Sequence, residues 1–185
     1  MSKKLKKPSE ALYPTPVVMV SCVDKEGNPN IITLAWVGIV CSDPPMIGIS
    51  IRPSRYSYKL ISESDEFVVN IPTVDLAKQT DHCGMVSGRD VDKFKETGLH
   101  AKPSSKIKAP LIEECPMNIE CKVRQTINLG AHVLFIGEVV AVNVDESILN
   151  EKGEIDYSLA KPFVFNQGEY WSLKEIIGSY GYSRS

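Results

Sequence analysis

No apolar run in the chain approaches the ~18–20 residues that a membrane-spanning helix requires, so no segment reads as transmembrane. There are only three histidines, His82, His100 and His132, too few for a His-rich metal centre. His82 and Cys83 are adjacent, and neighbours of this kind make poor tetrahedral ligands unless others arrive from a distance, so no metal is assigned. GxGxxG and GxxxxGK(S/T) are both absent, which removes the dinucleotide fingerprint and the P-loop. HExxH is missing, and so is the GxSxG elbow of the α/β-hydrolases. The five cysteines are odd in number and irregularly spaced, with no CxxC pair and no Asn-x-Ser/Thr acceptor. That pattern predicts reduced thiols in a cytoplasm rather than a secreted disulfide framework. Net charge is only −2, with 21 basic and 23 acidic residues, and so small an imbalance leaves no electrostatic footprint for nucleic acid. The opening "MSKKLKKPSE" is basic, but no apolar h-region follows. Residues 1–13 read as a flexible basic tail.

What is present fits one domain over residues 1–185 with an ordinary soluble composition, 43% hydrophobic and 24% charged. Val17–Val23 is a dense β-favouring run, followed by the turn-rich "DKEGNPN" and a second apolar run, Ile31–Val40. The pair reads as a hairpin. "SDPP" breaks the chain before a third strand, Met46–Ile51, because proline fixes its own φ and disfavours helix in the residue before it. A helix is predicted from Arg55 to Ser64, a strand over Glu66–Ile71, and a short helix over Asp75–Cys83. A further helical turn is stopped by Gly98. Met117–Ile127 and His132–Val144 are long β-favouring segments around "NLG", and "FVFN" is a short strand near the end. This gives five to seven strands, reached mostly by hairpins, with a helical insertion between residues 73 and 97. Alternating βα units are absent, so the expected class is mainly β, an antiparallel barrel with short helices.

Three stretches carry polar groups suited to binding. In "SIRPSRYSYKLI" (residues 50–61) a buried strand turns into a helix, where unpaired N–H groups favour anions. Ser54 could cap that helix, and Ser57 would sit in its first turn. Arg52 and Arg55 add charged forks. The other reading is an ordinary capped helix with two solvated arginines. "CGMVSGRDVDKF" (residues 83–94) adds Arg89 and Lys93 beside a Ser87–Gly88 turn, or is simply a salt-bridged surface helix. In "NIITLAWVGIVCSDPP" (residues 30–45) Trp36 is either core or the wall of a site for a flat ligand.

The ordered blocks "TLAW", "DPPM", "SIRPSRYS", "EFVVNIP", "CGMVSGRDVDKF" and "HVLFIGEV" resemble the flavin reductase-like family, and "SGRDVDKF" resembles its flavoredoxin branch. The resemblance runs from about Pro14 to Val144. It implies an FMN-binding split barrel of antiparallel Greek-key type, usually a homodimer. Thr33, Leu34, Ala35 and Trp36 would line the isoalloxazine through backbone groups, with Cys41 and Ser42 close to the ring. Ser50, Ile51 and Arg52 would continue that wall, and Arg52, Arg55, Tyr56 and Ser57 match the segment expected near the ribityl phosphate. Ser87, Arg89 and Lys93 would close the site, from the same or the partner subunit. His132 and Cys41 are the candidates near the ring or the nicotinamide.

The chemistry implied is hydride transfer from NADH or NADPH to flavin N5 and onward reduction of flavin or another acceptor such as ferric iron, with no residue acting as acid or base. The alternative is an electron carrier reduced by a redox protein partner. A third class is a non-redox barrel that binds haem or another phosphorylated ligand.

Overall fold

The structure, a computed structural model, describes residues 1–184. Residues 1–12 are exposed and form no regular element. The strands are β1 (Thr15–Pro16), β2 (Val18–Val23), β3 (Pro29–Leu34), β4 (Val37–Ser42), β5 (Pro45–Ile51) and β6 (Glu66–Ile71), then β7 (Ala101–Lys102), β8 (Leu111–Ile112), β9 (Met117–Asn128), β10 (Val133–Val144), β11 (Phe163–Asn166) and β12 (Glu169–Ser172). The helices are α1 (Tyr56–Ser64), α2 (Ala77–Met85), α3 (Lys93–Thr97) and α4 (Tyr157–Ala160).

Seven strands form one antiparallel sheet in the order β3-β2-β6-β9-β10-β5-β4. Its two edges, β3 and β4, are joined by only Ala35 and Trp36. Two outer strands can be linked by two residues only if the sheet curls round to bring its edges together. The result is a barrel with a seam, and the amide of Ser50 in β5 donates to the Trp36 carbonyl at 2.9 Å there. The first half of the run Ile31–Val40 does form the expected hairpin with β2, but the run is not one strand. It breaks at Ala35–Trp36, and its second half pairs with β5 on the far edge.

Alternation decides what fills the barrel. Val18, Val20 and Cys22 of β2 point inward with Ile32 and Leu34 of β3, Ile47, Ile49 and Ile51 of β5, and Phe67 and Val69 of β6, and Leu60 and Ile61 of α1 join the same cluster. The other face of β2 and β3, through Met19 and Ile31, packs on Leu76, Cys83 and Phe94 of the helical insertion. Strand β2 is thus buried on both sides, which explains its unbroken apolar run. Gly137 has no side chain because a Cβ there would stand 2.5 Å from the Phe67 ring, at a register shift between β9 and β10.

Glu120 of β9 is fully buried. It accepts from the amides of Ser105 (2.8 Å) and Lys106 (2.7 Å), the Ser105 hydroxyl (2.8 Å) and Asn143 Nδ2 (2.8 Å). Burial alone would raise its pKa, but these donors more than offset that and hold it below the ordinary glutamate value. A second small sheet, β1-β11-β12, lies beside the barrel. The sequence shows β11 but not its partner β12, because "EYWS" has no alternation to mark it.

Candidate functional site

Two cavities meet at the seam. One, of about 240 Å³, is lined by Thr33, Leu34, Ala35 and Trp36, by Ser50, Ile51 and Arg52, and by His132 and Phe165 among others. The second, of about 180 Å³, takes in Ser54 to Ser57, Ser87 to Arg89, and Lys93. Ile32, Arg55 and Gly84 line both, so they form one cleft. Among the described residues no carboxylate lines either cavity.

Strand β3 borders the cleft as an edge strand paired only to β2. An edge strand leaves alternate N–H and C=O groups unpaired, and a flat heterocycle with its own donors and acceptors can use them. The Trp36 and His132 rings stand parallel, 6° apart, with centroids at 6.3 Å. Phe165, from the β11–β12 hairpin, approaches Trp36 at 6.4 Å. Tyr170 of that hairpin donates to Asp81 Oδ1 at 3.0 Å, and burial, with Asp81, pushes its phenol up to about 12. The hydroxyl therefore stays a donor and holds the hairpin against α2. Burial, reinforced by Arg52, lowers the His132 pKa, so the imidazole is neutral at pH 7.

The second cavity is cationic. Lys93 is 5% exposed, and its ammonium donates to the carbonyls of Ile31 (2.7 Å) and Cys83 (2.6 Å). Among the described residues no carboxylate pairs with it. Burial lowers its pKa, and Arg55 adds to this. A buried ammonium held only by neutral carbonyls is costly unless an anion joins it. Arg89 donates from Nη1 to the Ser54 carbonyl at 3.0 Å and lies 5.4 Å from the Tyr56 ring centroid. The loop after α2 is thereby fastened over the start of α1. Helix α1 begins after Arg55 with no side-chain cap, so Ser54 does not cap it, and its first amides stay open to an anion. Ser57, 1% exposed, lies in that first turn.

Most of the sequence-predicted residues therefore meet in one cleft of a single chain. Ser87, Arg89 and Lys93 line its second cavity within this chain. Cys41 and Ser42 are not among its lining residues. They sit at the hairpin end, opposite Met46 and Pro45, where the Cys41 thiol faces the Asp43 carbonyl at 3.4 Å. His82 bonds to Glu96 at 2.9 Å while Cys83 turns into the core, which separates these adjacent residues. Asn30, Gly84, Phe165 and Tyr170 line the cleft without any sequence signal naming them, and Gly88, read from sequence only as a turn residue, lines it too. Asn30 and Gly88 lay inside the blocks quoted above, whereas nothing in the sequence ties the hairpin of Phe165 and Tyr170 to this site.

A family model described as a flavin reductase like domain matches residues 10–174. The chain belongs to the flavin reductase-like family. Flavoredoxin of Desulfovibrio vulgaris (Miyazaki F) is 35% identical with a TM-score of 0.93, covering 100% of both chains. Flavoredoxin from Methanosarcina acetivorans is 31% identical with a TM-score of 0.90, covering 98% of this chain and 97% of that one. An uncharacterised protein of Archaeoglobus fulgidus is 36% identical over 167 residues, 86% of this chain and 93% of its own. These likenesses place the chain in the flavoredoxin branch of a family of flavoprotein oxidoreductases with split-barrel folds.

Proposed function

We propose that the chain is an FMN-dependent oxidoreductase that takes electrons from NADH or NADPH and passes them to free flavin or another acceptor, ferric iron included. The observation that carries this reading is the buried Lys93 ammonium, which has no carboxylate partner among the described residues. It stands with Arg55, Arg89 and Ser57 at one end of a cleft whose other end is aromatic and bordered by an open strand edge. That combination suits a flat ring carrying a phosphomonoester. Lys93, Arg55, the Ser57 hydroxyl and the first amides of α1 would hold the phosphate. Thr33 to Trp36 would align the ring through backbone groups, and Arg52 would place positive charge beside it. Bound FMN would supply the redox chemistry, taking up electrons in pairs and releasing them singly or in pairs. The neutral His132 and the Trp36 and Phe165 rings exclude water around it without adding charge.

The protein works as a homodimer in this reading. A neighbouring groove of about 380 Å³, lined by Leu12, Tyr13, Trp36, Val40, Leu129 and Leu134 among others, is almost wholly apolar and shares Ala35, Trp36 and Ser50 with the ring cavity. The five unpaired cysteines support a reducing, cytoplasmic setting. No helix among the described residues is long and apolar enough to cross a membrane.

The likeness to two flavoredoxins favours a second reading, an electron carrier reduced by another redox protein. Anaerobic mixing with NADH and with NADPH, followed by flavin absorbance, separates the two. Rapid bleaching by either supports the reductase. Bleaching only by a reduced ferredoxin replaces it with the carrier, and a colourless or haem-coloured protein that takes up no FMN removes both.

A further inference from the structure

Ser57 is buried at the phosphate end of the cleft, and a hydroxyl there can help an anion only as a donor. A serine has one O–H to give and two lone pairs to receive with, so its usefulness depends on where its hydrogen points. Asn30, itself 5% exposed, sits on the inward face of β3 and donates from Nδ2 to Ser57 Oγ at 2.7 Å. With that lone pair occupied, the Ser57 hydrogen is directed away from Asn30. The buried thiol of Cys22 also reaches Ser57. Burial pushes this thiol up to about 12, so it is neutral and a weak competitor for the hydrogen.

The position of Asn30 is itself enforced. A Cβ on residue 88 would fall 2.0 Å from Asn30 Oδ1 and 2.7 Å from its Cγ. Gly88 is therefore the residue that lets the Asn30 amide occupy this place. The adjoining Ile31 carbonyl accepts from Lys93, so one short piece of β3 steers two donors at once.

We propose that Asn30 is a positioning residue, which by donating to Ser57 turns the Ser57 hydroxyl hydrogen toward the phosphate of the bound flavin. This rests on the FMN reading above. It assigns Asn30 a part in choosing FMN over riboflavin, which carries the same ring without the phosphate.

The test is a pair of dissociation constants, for FMN and for riboflavin, in wild type, Asn30→Leu, Ser57→Ala and the double variant. Asn30→Leu keeps the volume and removes the donor. It should weaken FMN roughly fivefold, the scale of one ordinary hydrogen bond, and leave riboflavin unchanged. Ser57→Ala should weaken FMN on the order of tenfold, as for a lost charge-assisted bond. The double variant should be no worse than Ser57→Ala, because Asn30 acts through Ser57. Additive losses, or equal losses for FMN and riboflavin, would overturn the proposal. If Asn30→Leu does not fold, Gly88→Ala displaces the same amide from outside and should give the same FMN-selective loss. An unchanged FMN preference in that folded variant overturns the proposal too. A wild type that binds FMN no better than riboflavin removes the FMN reading and this inference with it. A wild type that prefers FMN with variants that do not differ from it removes the inference alone.

Discussion

At the scale of single residues, charge placement is the main theme. Lys93 is nearly inaccessible and, among the described residues, has no carboxylate partner, while Arg52 and Arg55 stay exposed at the mouth of the cleft. Exposed guanidiniums add little to fold stability, so their removal should be read in binding. Arg52→Ala with Arg55→Ala is expected to weaken FMN by at least about tenfold, from the loss of charge-assisted contacts, with the melting temperature nearly unchanged. Titration by flavin fluorescence and a thermal melt of the same variant check both halves. Gly137 is the converse case, a residue whose importance is wholly structural. Gly137→Ala forces a methyl against Phe67 and Cys121, and overpacking of this kind costs about 1–3 kcal/mol, readable as a lower urea midpoint. Sequence blocks make Thr33 to Trp36 and Ser50 to Ser57 legible as a site, because each lies on one short stretch. Asn30 and Gly88 lie inside such blocks, and Gly88 reads as a turn residue, but their contact is not legible there, since it exists only where β3, α1 and the loop after α2 touch.

At the scale of elements, β9 and β10 form the long central hairpin, and β9 also anchors the segment before β8 through Glu120. The pKa of Glu120 is lower folded than its ordinary value of 4.5. Its contribution to stability is then fully present above the unfolded pKa and is lost as pH falls through the folded one. Glu120→Gln keeps one acceptor but sets an N–H group against backbone donors. It should cost about 1–3 kcal/mol at pH 7 and flatten the loss of stability on acidification below about pH 4.5. Urea unfolding at pH 7 and pH 3 tests both expectations. The elements themselves were largely readable from periodicity and turn residues: β2, β5, β6, β9, β10 and α1 all lie close to where their patterns put them. The break in Ile31–Val40 was not, because Ala35 and Trp36 are no less apolar than their neighbours. Only the need to cross from one sheet edge to the other separates β3 from β4.

For the whole molecule, the outer surface of the β4 side is unusually apolar for an exposed face. Ile39 (84%), Val40 (51%) and Leu129 (60%) are open to solvent beside the groove that adjoins the cleft. Burying such a patch against a second copy is the reason for the proposed dimer. Val40→Glu with Leu129→Glu should therefore yield a monomer by light scattering after gel filtration, whereas a wild-type monomer would remove the dimer from the proposal. The sequence offered no sign of this face, since an apolar strand pattern does not say which side meets water.

The two-residue link between β3 and β4 has a consequence for the life of the protein. A ligand lying across the seam touches both sheet edges and exists only on the folded chain, so occupancy and stability are thermodynamically linked. At a free concentration 100 times its dissociation constant, such a ligand adds about 2.7 kcal/mol to the folded state. Cofactor supply then becomes a control on abundance: chains made in flavin shortage would populate the open-seamed state more often and be cleared sooner.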